Sequence, residues 1–118
     1  IEQMASPGTE MLVSATRAGV VPALVIGTGG IWTELMQDVV VIPLPAEPER
    51  IGDALRSLTS YPMLAGGRGR PALAVGALCD LASAVGRALV DDGLSLVELN
   101  PVIVTETSAV AVDAVVRR

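Results

Sequence analysis

Lysine, histidine and phenylalanine are absent from the 118 residues, and cysteine, tryptophan and tyrosine occur once each. All 8 basic side chains are therefore arginines. Each gap removes a class of chemistry. Without histidine or lysine the chain cannot hold a Ser-His-Asp triad, a Cys-His dyad, a histidine metal site, a Schiff-base lysine or the lysine of a phosphate-binding P-loop. General acid–base work falls to carboxylates. One cysteine, Cys79, allows neither a disulfide nor a thiolate metal cluster, and an unpaired thiol points to a cytoplasmic home. Trp32 and Tyr61 are too few for a stacking surface, and a net charge of −5 argues against a nucleic-acid backbone as partner. The longest apolar runs, Val20 to Ile26 and Val39 to Leu44, are too short to cross a bilayer. No basic segment followed by an apolar core opens the chain, so neither a membrane nor a secretion signal is expected. The chain begins at Ile1 and not Met, which leads us to expect further sequence upstream.

With 51% hydrophobic and 18% charged residues, the remainder describes one globular domain. Glu10 to Arg17 alternates, with Met11, Val13 and Ala15 on one side, and predicts a strand. Pro22 to Ile26 and Asp38 to Leu44 predict two more, separated by Gly27-Thr28-Gly29-Gly30 and an ambiguous stretch from Ile31 to Gln37. Pro48 suits the first turn of a helix, and Ile51, Ala54, Leu55 and Leu58 form its apolar stripe until Tyr61-Pro62 ends it. After the loop Gly66-Gly67-Arg68-Gly69-Arg70-Pro71, a second helix is expected from about Leu73 to Asp91. Its stripe is Leu78, Leu81, Ala82, Val85 and Leu89, with Cys79 packed beside it and Gly93 as the stop. Leu96 to Val104 and Ala109 to Val116 flank Thr105-Glu106-Thr107-Ser108 and predict a closing hairpin. Strands, two helices and a hairpin give an α+β domain with a mostly antiparallel sheet.

The hairpin holds the sharpest chemical signal. If residues 105–108 form the loop, Val104 pairs with Ala109 and Asn100 faces Asp113, with Cβ atoms roughly 4.5–5.5 Å apart. Glu98, two residues before Asn100, lies diagonally from Asp113 on the same face. Two carboxylates and an amide oxygen suit a hard cation such as Mg²⁺, which takes one or two carboxylates and completes its shell with substrate phosphates and water. A slip of one residue would dissolve the site. The same spacing also suits a plain solvated hairpin face, and Pro101 removes a ladder donor and favours an edge or a bulge. The glycine run 27–30 offers backbone N–H groups to an anion but equally suits an ordinary turn. Arg68 and Arg70 offer a clamp for carboxylate or phosphate, or a solvated basic loop.

Four segments carry a family resemblance: "IEQM…PGTEMLVSATR", "GTGGIWTELMQDV", "YPMLAGGRGRP", and "VELNPVIV" followed by "AVAVDAVVR". In this order, over almost the whole chain, they resemble the second half of the ATP-grasp domain of ADP-forming acyl-CoA (acetate-CoA) synthetases, relatives of succinyl-CoA synthetase. The resemblance implies a lobe of a larger enzyme that interconverts acid, CoA and ATP with acyl-CoA, ADP and phosphate through an acyl phosphate and a phosphohistidine. It implies ATP/ADP and Mg²⁺ as cofactors, with Asn100 and Asp113 as metal ligands and Glu98 near the phosphohistidine loop. Glu2, Gln3 and Met4 fall where the family's interlobe strand passes adenine. Gly29, Gly30 and Glu34 match its glycine-rich segment, and Arg68 and Arg70 its loop.

The implied partners are the remaining ATP-grasp lobe, which bears the lysines expected to contact phosphates, and a CoA-binding domain or subunit with the histidine. A homo-oligomer is also compatible. This chain alone is expected not to catalyse the reaction. It departs from the family pattern at Ile42, where an arginine usually stands nearby, at Ala74, often aspartate, and at Ala18 and Val20-Val21. Those departures leave open a non-catalytic regulatory or binding module of a larger protein such as a fused acetyltransferase. A third reading is a lobe that only mediates oligomer contacts.

Overall fold

Alternation sets the first strand. In β1 (Thr9–Thr16) Met11, Val13 and Ala15 are fully buried while their neighbours are half-buried or exposed. The computed structural model describes residues 8–17, 21–28 and 38–118. β1 pairs on one side with β2 (Ala23–Thr28), which pairs in turn with β3 (Val39–Pro43). On its other side it pairs with β4 (Leu96–Val104). β4 is flanked by two short strands in succession, β5 (Ala109–Ala111) and β6 (Ala114–Arg117). The result is a six-stranded sheet in which every pairing is antiparallel. The α+β expectation holds.

The helices lie between β3 and β4 in sequence. α1 (Pro48–Leu55) opens on its proline, whose missing N–H costs nothing in the first turn, and buries Ile51 and Leu55. It stops earlier than its apolar stripe suggests. Tyr61-Pro62 does not close that helix but starts a separate short one, α2 (Tyr61–Ala65), again with proline in the first turn. α3 (Val75–Asp91) buries Leu78, Cys79, Ala82, Val85 and Leu89, as expected, while Leu81 is half-buried. α3 packs on α1 and across β1 and β4. The last turn of α3 leaves carbonyls without helical donors, and Arg17 from the end of β1 supplies them. Its Nε donates to Leu94 O at 2.8 Å, and its Nη2 to Leu89 O at 3.2 Å and Val90 O at 3.4 Å.

The helices cover one face of the sheet. Alternation turns Val39, Val41, Val110 and Val115 to the other, and all four are exposed. Among the described residues no helix is long and apolar enough to cross a membrane.

Candidate functional site

The register of the closing hairpin is the one its four-residue loop predicts. Val104 pairs with Ala109, Val102 with Ala111, Leu99 with Ala114 and Leu96 with Arg117. Between those segments the Asn100 N–H donates to Asp113 O at 3.1 Å, so the two residues stand directly opposite each other. Glu98 pairs with Val115, which puts Asp113 on its diagonal. Glu98 and Asn100 alternate with buried Val97 and Leu99 and thus share the face turned away from the helices.

A β-bulge sits at this point. Val13 pairs with Leu99 but Met11 with Val102, so Asn100 and Pro101 together oppose Leu12. The extra residue reverses the alternation: Val97 and Leu99 point inward before it, Val102 and Val104 after it. Outside β4 the irregularity is matched by the interruption between β5 and β6 at Val112 and Asp113, where the Val112 N–H donates to Pro101 O at 2.9 Å. Bulges re-aim side chains, and here the irregular step carries both Asn100 and Asp113. Asp113 is exposed and its Oδ1 accepts the Ala114 N–H at 2.9 Å. Among the described residues no three His, Cys, Asp or Glu side chains gather closely enough to hold a metal by themselves. An amide and one or two carboxylate groups form a partial set of hard oxygen donors, which fits a cation that takes its remaining oxygens from phosphates and water.

Arg68 and Arg70 lie elsewhere. They belong to a tight hairpin in which Gly67 and Arg70 exchange both backbone hydrogen bonds, at 2.9 and 3.0 Å. Arg68 (φ 54°) and Gly69 (φ 82°) are its two central residues, both left-handed as a type I′ turn requires. Gly66 is obligatory, because a Cβ there would stand 2.6 Å from the Ala72 backbone nitrogen. The Ala74 N–H donates to Thr105 O at 2.7 Å, which ties the segment after this hairpin to the far end of β4. That end is four residues from Asn100, about 13 Å along the strand. Glu2, Gln3, Met4, Gly29, Gly30 and Glu34 lie outside the described residues.

One polar centre escaped the sequence reading. Asp38, 9% exposed, accepts the Thr59 N–H at 2.7 Å, the Ser60 N–H at 2.8 Å and the Thr28 hydroxyl at 3.3 Å. Burial pushes its carboxyl upward, but hydrogen bonds from the Ser60 side chain, the Thr59 and Ser60 N–H groups and Thr28 outweigh it and hold the pKa below the ordinary value. Asp38 thus joins both ends of the glycine-rich segment to the turn that enters α2. Its sequence signals are its place at the end of the glycine-rich segment "GTGGIWTELMQDV" and at the start of a predicted strand. Ile42 is a core residue facing the helices.

A family model described as an ATP-grasp domain matches residues 1–117. The chain belongs to the ATP-grasp family. It is 35% identical over 116 residues to the beta subunit of acetate–CoA ligase (ADP-forming) I of Pyrococcus furiosus, covering 97% of this chain and 50% of that subunit. It is also 35% identical over 108 residues to a trans-feruloyl-CoA synthase from an unknown prokaryotic organism, covering 88% of this chain and 15% of that one. Among solved structures it resembles the dinucleotide-forming acetyl-coenzyme A synthetase 1 of Candidatus Korarchaeum cryptofilum in complex with coenzyme A and Mg-AMPPCP, with TM-score 0.87 at 28% identity. That match covers 97% of this chain and 55% of that one. This ATP-grasp chain is therefore related to the beta subunits of ADP-forming acetyl-CoA synthetases and spans about half of such a subunit.

Proposed function

We infer that this chain is the metal- and nucleotide-binding lobe, the second of two, in an ADP-forming acyl-CoA synthetase, and that it is inactive alone. The observation that carries the reading is Asn100 opposite Asp113 at the β4 bulge. An amide oxygen and a carboxylate there would hold Mg²⁺, whose role when bound is to neutralise phosphate charge and fix the phosphates in line. Glu98, on the same face and half-buried, would meet the segment that carries the phosphoryl group. The exposed valines on the sheet face that no helix covers among the described residues support a covering lobe, since an apolar surface of this kind marks a contact site. The first lobe would bring the lysines this chain lacks, and a CoA-binding domain or subunit would bring the histidine. A cytoplasmic setting follows from this metabolic role.

The test is formation of ATP from acyl-CoA, ADP and phosphate by the full protein across a Mg²⁺ titration. Removing a second-sphere partner of a metal ligand typically costs 10–100-fold in metal affinity, so losing a ligand itself should cost at least about 100-fold. Asp113→Ala should therefore shift the Mg²⁺ dependence by that factor. Normal turnover at ordinary Mg²⁺ would remove the metal assignment. A wild-type protein that binds nucleotide yet makes no acyl-CoA would instead be a regulatory module.

A further inference from the structure

A cavity of about 230 Å³ lies between the segment that leads from β3 into α1 and the last turns of α3. Its floor is buried: Leu44 and Ala46 come from the segment, Ser83 from the helix. Its rim is charged: Glu47, Arg87 and Asp91 line it and all three are exposed. None of these six residues has a part in the function proposed above.

The sequence of α3 explains the rim. Side chains four residues apart share a helix face and lean toward the helix N-terminus. Arg87 therefore reaches back to Ser83. Its Nη1 donates to Ser83 Oγ at 2.9 Å, and Ser83 Oγ donates in turn to Ala46 O at 3.2 Å. This relay holds the guanidinium beside the floor and, among the described residues, leaves its remaining N–H groups free. Arg87 stands four residues before Asp91, the less favourable order for an ion pair on a helix. Among the described residues neither Asp91 nor Glu47 pairs with it or with any other cation.

Unpaired charges of both signs around an apolar floor narrow the ligand. A plain anion would face two carboxylates, and a plain cation would face the guanidinium. A molecule carrying both charges satisfies all three groups. An ammonium has three donors for Glu47 and Asp91, and a carboxylate accepts the free fork of Arg87. The body between them must be small and aliphatic, because it meets Leu44, Ala46 and Val90. The volume is below the roughly 300–1,000 Å³ of sites for larger ligands. We propose that this cavity binds a small zwitterion, an α-amino acid with a short aliphatic side chain. Such an occupant ties the 44–47 segment to the end of α3 and so stabilises the lobe. The proposal does not rest on the metal assignment.

Calorimetric titration of the full protein with L-valine tests it. L-Valine should bind and raise the thermal midpoint. Valinamide lacks the carboxylate and N-acetylvaline lacks the ammonium, so each should bind at least about tenfold more weakly. Arg87→Gln, and separately the Glu47→Gln/Asp91→Asn double variant, should each raise the Kd of L-valine by at least the same factor. No binding of L-valine to the wild-type protein at millimolar concentration overturns the proposal. Equal affinity for valinamide or N-acetylvaline overturns it too, since one of the two charges would then be idle. Binding that both variants leave intact places L-valine elsewhere, for instance where the acid substrate goes, and overturns it as well. The Mg²⁺ dependence of ATP formation, read through Asp113→Ala, stands or falls separately.

Discussion

Replacing Asp38 by alanine removes the acceptor of two short backbone hydrogen bonds, from Thr59 at 2.7 Å and Ser60 at 2.8 Å, and of the longer one from Thr28. Bonds to an ionised acceptor contribute about 1.5–3 kcal/mol each. The desolvation of the buried carboxylate, which the variant relieves, offsets part of that, and Thr59 is exposed enough for water to take over its N–H. The balance is a loss of about 3 kcal/mol, or about a hundredfold in the opening equilibrium of the turn between α1 and α2. Urea unfolding at pH 7 reads the stability. Hydrogen exchange at the Thr59 and Ser60 amides reads the locality, because both should exchange about a hundredfold faster. The sign of the pH dependence is fixed by the lowered pKa. A depressed folded value means the carboxylate stabilises the fold fully above its unfolded value of 3.8 and loses that contribution as pH falls through the lower folded value. The gap between wild type and Asp38→Ala should therefore be flat from pH 7 to about 5 and shrink below about 4. A variant within about 0.5 kcal/mol of wild type at pH 7, or a gap that widens in acid, would refute this account.

Arg17→Ala should cost about 1–2 kcal/mol in urea unfolding, since two carbonyls in the last turn of α3 and that of Leu94 just beyond it each lose a donor; an unchanged midpoint would show that water replaces it freely. Gly27→Ala should cost about 1–3 kcal/mol by thermal or chemical unfolding, because its Cβ would lie 2.5 Å from Val39 Cγ1 and 2.7 Å from the Asp38 carbonyl oxygen, and the latter is backbone. Burial, with a smaller contribution from Asp80, pushes the Cys79 thiol upward, so iodoacetamide should label it at neutral pH at least about 100-fold more slowly in the folded protein than in urea.

The sequence carried the strands and the closing register because both rest on short-range rules. Period-2 burial identified Met11, Val13 and Ala15, and loop length alone paired Val104 with Ala109 and hence Asn100 with Asp113. The bulge was half legible: Pro101 signalled an irregular ladder, but the change of face between Leu99 and Val102 depends on β1, a strand more than eighty residues away in the chain. The break after α1 was misread because proline is compatible with either the end or the first turn of a helix, and the choice is made by tertiary packing of Leu58 and Leu64 into the same core. Asp38 was invisible for a related reason. Its partners Thr59 and Ser60 are local to nothing in its own neighbourhood. The loop arginines read from type and spacing as either an anion clamp or a solvated basic loop, whereas the left-handed conformation of Arg68 is a property only coordinates reveal.

The interruption between β5 and β6 has a further consequence, for solubility. A continuous outer strand from Ala109 to Arg117 would expose an unpaired hydrogen-bonding edge lined by Val110, Val112, Val115 and Val116, of which Val112 is 64% exposed. Such an edge is a template on which a second molecule can add its own strand. Val112 and Asp113 divide it into pieces of 3 and 4 residues and place a carboxylate at the join. A carboxylate at that join disfavours addition of a further strand. Removing its charge removes that guard, and loss of activity in an Asp113 variant is informative only once light scattering shows that the protein is still dispersed.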